Sequence, residues 1–393
     1  MKYRLSGKFV LRWLETPALY DRGNDELYEL DDAGFRFLQS CASAEGCSTS
    51  TGGCAVGEDS GFIDYCFSEG ILTLDSVAAR RPRVIKSPIP SLRYLELQIT
   101  DKCNLRCKHC YIGASKNKEL SLTKLEAVLD EFEAMQGLRL LITGGEPLMH
   151  SHFAEFNEML RSYLFRKILF TNGLLLDRKL RENLNVDEIQ FSVDGMENGH
   201  DAFRGLGTFR KVMNSIEAAL RAGHQVSIST MIHRRNLQEF DEMERLFKGL
   251  GVRDWTVDVP CPEGNMKDND ILRVPPETGG RLMNYGFGGS LHGGGEGFGC
   301  GFHLAAVLAG GEVCKCAFFS KEPAGTIDEG IGKAWTMIAP VKLDDLDCAQ
   351  QSCSAIDECR GGCRYRASVT GEEHDLTGNG RDLYKCYHYG IMK

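Results

Sequence analysis

A chain of 393 residues is long enough to bury a large core and to divide into two or three domains. Its formal charge of −9 argues against a nucleic-acid surface, and no stretch approaches the roughly eighteen consecutive apolar residues of a membrane span. The sixteen cysteines are the unusual feature. In a long chain whose start, Met1-Lys2-Tyr3-Arg4, opens no signal-peptide core, they point to metal in a reducing cytoplasm rather than to disulfides.

Residues 1–79 read as a first unit. Lys8 to Trp13 and Ala18 to Tyr20 have the pattern of short strands, and Gly23-Asn24-Asp25 turns the chain into Leu27 to Leu30. Asp31 or Asp32 caps a helix carrying Phe35 and Leu38; Phe62 to Glu69 forms a second helix, and Ile71 to Leu74 a closing strand. The spacings of Cys41, Cys47, Cys54 and Cys66 match no metal site, so free or packed thiols are expected there. Residues 80–92, basic and proline-containing, are the expected linker.

From 93 to 262, apolar alternating runs alternate with amphipathic helices. The strands are Tyr94 to Thr100, Leu138 to Thr143, Lys167 to Asn172, Glu188 to Asp194, Gln225 to Met231 and Trp255 to Pro260. Six β/α units with right-handed crossovers imply a partial (β/α)6 TIM-like barrel, with the chemistry at the carboxyl ends of the strands. The informative residues fall there. After the first strand come Cys103, Cys107 and Cys110 at C-x3-C-x2-C spacing. Three thiolates on one short loop suit three irons of a [4Fe–4S] cube and leave the fourth iron open. After the second strand comes Gly144-Gly145-Glu146-Pro147, whose glycines permit close backbone approach to a ligand and whose carboxylate accepts from an amino group. Asn172 follows the third strand, while Ser192 and Asp194 end the fourth.

Beyond Pro262 the glycine pairs Gly279-Gly280 and Gly288-Gly289 and the run Gly293 to Gly295 predict an irregular connection up to Gly299. The rest of 263–393 is patterned in cysteine: Cys300, Gly311 and Cys316, then Cys348, Cys353, Cys359 and Cys363, and finally Cys386. Gly310-Gly311 is expected to turn a hairpin ahead of Cys316.

The cysteine loop together with the Gly-Gly-Glu-Pro turn resembles the radical S-adenosylmethionine (SAM) family. The C-terminal cysteines resemble its SPASM extension, although four residues rather than the family's two separate Cys348 from Cys353. The N-terminal order of hairpin, helix, helix and strand resembles the winged-helix, PqqD-like domain that binds leader peptides in maturases of ribosomally made peptides. The resemblance implies three [4Fe–4S] clusters and SAM. Cys103, Cys107 and Cys110 would hold the first cluster. SAM would lie among Gly144, Gly145, Glu146, Pro147, Asn172, Ser192, Asp194 and Tyr111, with Arg204 facing its carboxylate. Cys348, Cys353, Cys359 and Cys386 would hold an outer auxiliary cluster. Cys300, Cys316 and Cys363 would hold an inner one, whose fourth position falls to Cys314, to Cys261 or to an open iron; the open iron, free for a substrate thiolate, is favoured.

The implied function is hydrogen abstraction by a 5′-deoxyadenosyl radical, installing a thioether or carbon–carbon crosslink in a precursor peptide. No protein side chain is assigned as a general base. The implied partners are that peptide and a flavodoxin- or ferredoxin-type reductant. The alternatives are a formylglycine-forming sulfatase maturase or tetrapyrrole enzyme, and a multi-cluster electron-transfer or cluster-carrier protein.

Overall fold

A computed structural model describes residues 2–48, 60–74, 81–289, 297–370 and 379–392. The N-terminal unit contains two small antiparallel sheets. One has the order β5 (Cys47–Ser48), β1 (Lys2–Leu5), β6 (Leu72–Leu74), and the other β2 (Phe9–Trp13), β3 (Pro17–Asp21), β4 (Glu26–Glu29). Helix α1 (Asp32–Ala42) begins where Asp31 accepts from the Gly34 N–H, and α2 is Ser60–Ser68. The core of this unit gathers Phe9, Leu11, Phe35, Leu38 and Leu72. Buried Cys41 and Cys66 belong to it as packed free thiols, pushed up by burial to about 12 and about 11. Cys47 departs from the expectation of free thiols and is disulfide-bonded, and Cys54 lies outside the described residues.

The segment expected as a linker is pinned along its described length. Arg81 donates to the Leu5 carbonyl at 2.7 Å, the Ser87 N–H to Trp13 O at 2.8 Å, and the Ser91 N–H to Glu15 at 2.7 Å. The β3–β4 turn docks on the barrel. Asp25 lies 2.7 Å from Arg139, Arg166 donates to the Arg22 carbonyl at 2.6 Å, and Arg253 donates to the Asn24 carbonyl at 2.6 Å. These arginines sit at the amino ends of barrel strands, so the N-terminal unit caps the barrel face opposite the cysteine loop.

The barrel sheet runs β7 (Tyr94–Thr100), β8 (Arg139–Gly144), β9 (Arg166–Thr171), β10 (Glu188–Ser192), β11 (Gln225–Met231) and β12 (Asp254–Asp258), all parallel. The crossovers carry α3 (Leu122–Ala134), α4 (Phe153–Met159), α5 (Arg178–Glu182), α6 (Glu197–Arg204) with α7 (Thr208–Arg221), and α8 (Phe240–Leu250). Apolar residues at helical spacing, such as Leu125, Leu129 and Phe132 of α3, bury against the strands.

At its other edge the sheet extends further than six strands. Strand β13 (Leu304–Val307) pairs parallel with β7, and antiparallel β14 (Glu312–Cys314) and β15 (Gly325–Thr326) follow. Gly311, at φ 93°, turns the expected hairpin between β13 and β14.

The expectation of irregular chain at Gly279-Gly280 is overturned, because both lie inside α9 (Pro276–Leu282). Their lack of a side chain lets α9 press onto α14 (Leu383–His388). A Cβ on Gly279 would stand 2.7 Å from the Tyr384 ring, and one on Gly280 2.5 Å from Tyr384 O. The remaining helices are α10 (Ile331–Met337), α11 (Asp347–Gln350), α12 (Ile356–Cys359) and α13 (Arg364–Thr370). No helix among the described residues is long and apolar enough to cross a membrane.

Candidate active site

The loop leaving β7 is shaped by Asp101. Its carboxylate accepts from Ser115 Oγ at 2.8 Å and from the N–H groups of Lys116 and Lys118, each at 2.9 Å. A register shift between Gln98 and Thr100 precedes it. Within the clip, Cys103, Cys107 and Cys110 come close enough to act electrostatically on one another. Asn265 holds the loop from outside, through Nδ2 to the Cys107 carbonyl at 3.0 Å and its N–H to the Cys110 carbonyl at 2.9 Å. A cavity of about 490 Å³ opens against Cys103, Cys110, Gly145 and Met149. Three converging thiols beside a cavity fit a cluster with one open iron.

The glycine turn differs in detail from the sequence expectation. Gly145 does border the cavity, but the tightest approach is to the protein itself. A Cβ on Gly144 would lie 2.3 Å from Thr100 O, and one on Gly145 2.4 Å from Lys102 O. The glycines therefore let β8 lie against the root of the cysteine loop. Glu146 is fully buried and already accepts from Thr171 Oγ1 at 2.8 Å, the Asn172 N–H at 2.8 Å and the Leu148 N–H at 3.2 Å. A carboxylate has about four acceptor positions, so roughly one is left for an amino group. Burial pushes Glu146 up to about 7 against these donors. Pro147 opens the short 3-10 turn that Glu146 caps, and Asn172 donates to Asn104 in the cysteine loop at 2.8 Å.

Asp194 and Arg204 engage each other, where the sequence expectation directed both at SAM. Arg204 Nε donates to Asp194 Oδ2 at 2.5 Å, and its remaining nitrogens reach Cys107 Sγ at 3.9 Å and His109 Nε2 at 3.3 Å. Burial alone would raise the Asp194 carboxyl; the Arg204 charge, His109 and the Met231 N–H hold it at about 2. The guanidinium thus rests against a cluster thiol and compensates negative charge there. Ser192 stands half-buried at the end of β10. The Tyr111 hydroxyl donates to Glu96 at 3.2 Å and accepts from Gln98 at 2.9 Å.

The C-terminal cysteines form two groups. Cys348, Cys353, Cys359 and Cys386 line one small cavity. The irregular four-residue gap closes because α11 makes one turn and Ser352 adopts φ 56°, returning the Cys353 N–H to the Cys348 carbonyl at 3.0 Å. In the second group Cys300 and Cys316 interact electrostatically with each other and with Cys363. Cys261, just after β12, lines the same cavity wall as Cys363, and this neighbour holds the Cys363 thiol below its ordinary range. Cys314 is fully buried, and its charged neighbours are Glu312 and Glu96 rather than thiols. Among the described residues no three His, Cys, Asp or Glu side chains gather tightly enough for a single metal ion; a cube spreads its thiolates wider than one ion does.

A smaller cavity, about 90 Å³, lies between the first cysteine loop and Cys363 of the inner group. His109 and Tyr111 line it from the first loop, and Cys261, Cys363, Asp258 and Arg366 from the far side. Arg366 fastens that side: buried, it donates to Asp258 at 2.7 Å and to both oxygens of Asp382 at 3.0 and 2.7 Å. Sequence reasoning missed Asp101, Glu96, His109 and Arg366. Asp101, at the end of β7, and His109, beside Cys110, were signalled by position alone, whereas Glu96 inside β7 and Arg366 in α13 carried no such signal.

Residues 97–247 match the family model of the Radical SAM superfamily. The chain carries a radical SAM domain. It is 31% identical over 219 residues to the AdoMet-dependent heme synthase of Oleidesulfovibrio alaskensis, covering 53% of this chain and 56% of that protein. The chain therefore spans little more than half the length of that relative. It is 28% identical over 311 residues to the mycofactocin maturase MftC of Mycolicibacterium smegmatis, covering 70% of this chain and 79% of that protein. The radical SAM domain thus has relatives among peptide maturases and among heme synthase-like proteins. Among solved structures, Streptococcus suis SuiB bound to its precursor peptide SuiA superposes with TM-score 0.69, 13% identity, and coverage of 98% of this chain and 100% of that one. At that identity the likeness is one of fold.

Proposed function

We propose that this protein is a radical SAM peptide maturase that crosslinks a ribosomally made precursor peptide, with SPASM-type auxiliary clusters and an N-terminal leader-binding unit. When bound at Cys103, Cys107 and Cys110, a [4Fe–4S] cluster with SAM supplies a 5′-deoxyadenosyl radical and hence hydrogen-atom abstraction from an unactivated carbon. The protein's part is positional. Asp101 clips the loop, Gly145 lets β8 meet it, Arg204 offsets charge at Cys107, and Asp194 holds Arg204. His109, Phe203 and His233 stack with ring centroids 4.2 and 4.0 Å apart, beside the Asp194–Arg204 pair.

One observation carries this reading beyond the radical SAM domain: the cavity lined from one side by the first cysteine loop and from the other by the inner cysteine group. A side chain seated there lies within reach of both centres, as an oxidative crosslink requires. Strand β4 leaves one edge unpaired among the described residues and suits main-chain pairing with a leader. A flavodoxin- or ferredoxin-type reductant and a cytoplasmic setting complete the proposal, supported by fourteen free cysteines among the described residues.

The test is anaerobic incubation with SAM, a reductant and each short peptide found encoded in the neighbouring genes, followed by mass spectrometry. A crosslink's mass loss in the leader-bearing peptide, and none in the leaderless one, is the expected result. A second reading, tetrapyrrole chemistry, rests on the match to heme synthases. Porphyrin turnover with no peptide modification would establish it instead.

A further inference from the structure

The cavity between the first cysteine loop and the inner group takes its polarity from Asp258. This residue ends β12, where its pairing with Met231 places it on the sheet face that also carries Ser192, Ser229 and Thr256. The opposite face of these strands carries Phe191, Ile228 and Val257, which pack against α7 and α8. Alternation at period two thus makes the inner face polar and the outer face apolar. The only cations that the six strands add to the inner face are Arg139 and Arg166. They lie at its amino end, already paired to Asp25 at 2.7 Å and to Glu188 at 2.6 Å. At the carboxyl end, Asp258 is only half satisfied. Its Oδ1 accepts from Arg366 at 2.7 Å and from the Val259 N–H at 2.8 Å, while Oδ2 has no hydrogen-bond partner among the described residues. The Asp258 side chain is 39% exposed, against 2% for Arg366, and it lines the cavity. Arg366 serves two carboxylates, Asp258 and the buried Asp382, so one guanidinium against two carboxylates leaves one negative charge over.

Resting on the reading of this protein as a peptide maturase, we propose that the side chain seated in this cavity is basic, a lysine or arginine of the precursor peptide. Its ammonium or guanidinium donates to Asp258 Oδ2 and offsets the surplus negative charge. Its methylenes lie along Met231, Val259 and Phe318, which form apolar wall beside the carboxylate. The rings of Tyr111 and Phe318, 4.9 Å apart between centroids, add faces that attract a cation. A hydroxyl or carboxamide would satisfy the free oxygen but leave the charge uncompensated, and an acidic side chain would be repelled. Asp258 is therefore the residue that sets specificity. Arg366 is a positioning residue, because it holds Oδ1 and leaves Oδ2 for the substrate.

The test uses the full chain, reconstituted anaerobically with iron and sulfide, and each neighbouring-gene peptide that it modifies. Mass spectrometry locates the modification, and each lysine or arginine there is replaced in turn by norleucine, which keeps a hydrocarbon stem and removes the charge. With the wild type, replacing the seated residue should lower kcat/KM at least about tenfold, chiefly through KM. With Asp258→Asn, which keeps an oxygen for Arg366, the same two peptides should differ by less than about threefold. A peptide modified equally well without lysine or arginine, or a discrimination unchanged in Asp258→Asn, overturns the inference and leaves the maturase reading standing. No modification of any peptide defeats the maturase reading, and the inference with it. Should Asp258→Asn fail to fold, the wild type decides with a glutamate-substituted peptide beside the norleucine one. Turnover that falls from the basic peptide to norleucine and again to glutamate supports the proposal, and equal turnover of all three overturns it.

Discussion

Asp25 latches the N-terminal unit to the barrel, and Asp25→Asn should release it. The carboxylate lies 2.7 Å from Arg139 and 3.6 Å from Arg166, and accepts from the buried Tyr20 hydroxyl at 2.5 Å. The residue sits at φ 64°, a conformation that asparagine tolerates, so the substitution removes charge with little backbone penalty. At 2.7 Å and an effective dielectric of about 20, the Arg139 pair is worth about 6 kcal/mol gross. Desolvation offsets much of that, but removing one partner strands the other, for a net cost of about 3 kcal/mol.

A double-mutant cycle with Arg139→Met, read by urea unfolding and tryptophan fluorescence, should give a coupling energy of about 2–3 kcal/mol. The pH dependence has a definite sign. Burial would raise the Asp25 carboxyl, but Arg139, the Tyr20 hydroxyl and Arg166 hold it below its ordinary 3.8. Its contribution is therefore complete above 3.8 and fades as the pH falls below that value, a component of the pH dependence that the Asn variant lacks. In turnover, Asp25→Asn should spare 5′-deoxyadenosine formation and impair peptide modification. A coupling energy under about 0.5 kcal/mol would refute the latch.

Gly145→Ala drives a Cβ to 2.4 Å from Lys102 O, so it should cost about 1–3 kcal/mol and strip iron from the first loop while leaving auxiliary iron in place. Iron analysis checks this, and full iron retention would show that the contact relaxes freely. Arg366→Met strands the buried Asp382 and should cost about 3 kcal/mol. The companion effect is loss of auxiliary clusters from the reduced EPR spectrum with SAM cleavage retained.

The six barrel strands were legible because each is a short apolar run at the period of a buried parallel strand, and their ends located the cysteine loop and glycine turn. Strand β13 was not, since Leu304–Val307 is four residues long and gains its place only by pairing with β7. Gly279 and Gly280 read as loop because intrinsic preference disfavours glycine in helices; here the close packing of α14 overrides it. The candidate site was legible in its cysteines and not in its electrostatics. That Asp194 and Arg204 pair depends on how the end of α6 returns to the end of β10, and that Arg366 spans Asp258 and Asp382 depends on α13 meeting the end of β12. Cys261 carried one readable clue, its place at the carboxyl end of the sixth parallel strand.

The central claim is that Cys103, Cys107 and Cys110 carry the radical chemistry. The direct measurement is 5′-deoxyadenosine formed from SAM by reduced, anaerobic protein, comparing the wild type with the variant in which all three are alanine. The account predicts product from the wild type, none from the variant, and a loss of roughly four irons from about twelve. A triple variant that still cleaves SAM would contradict it.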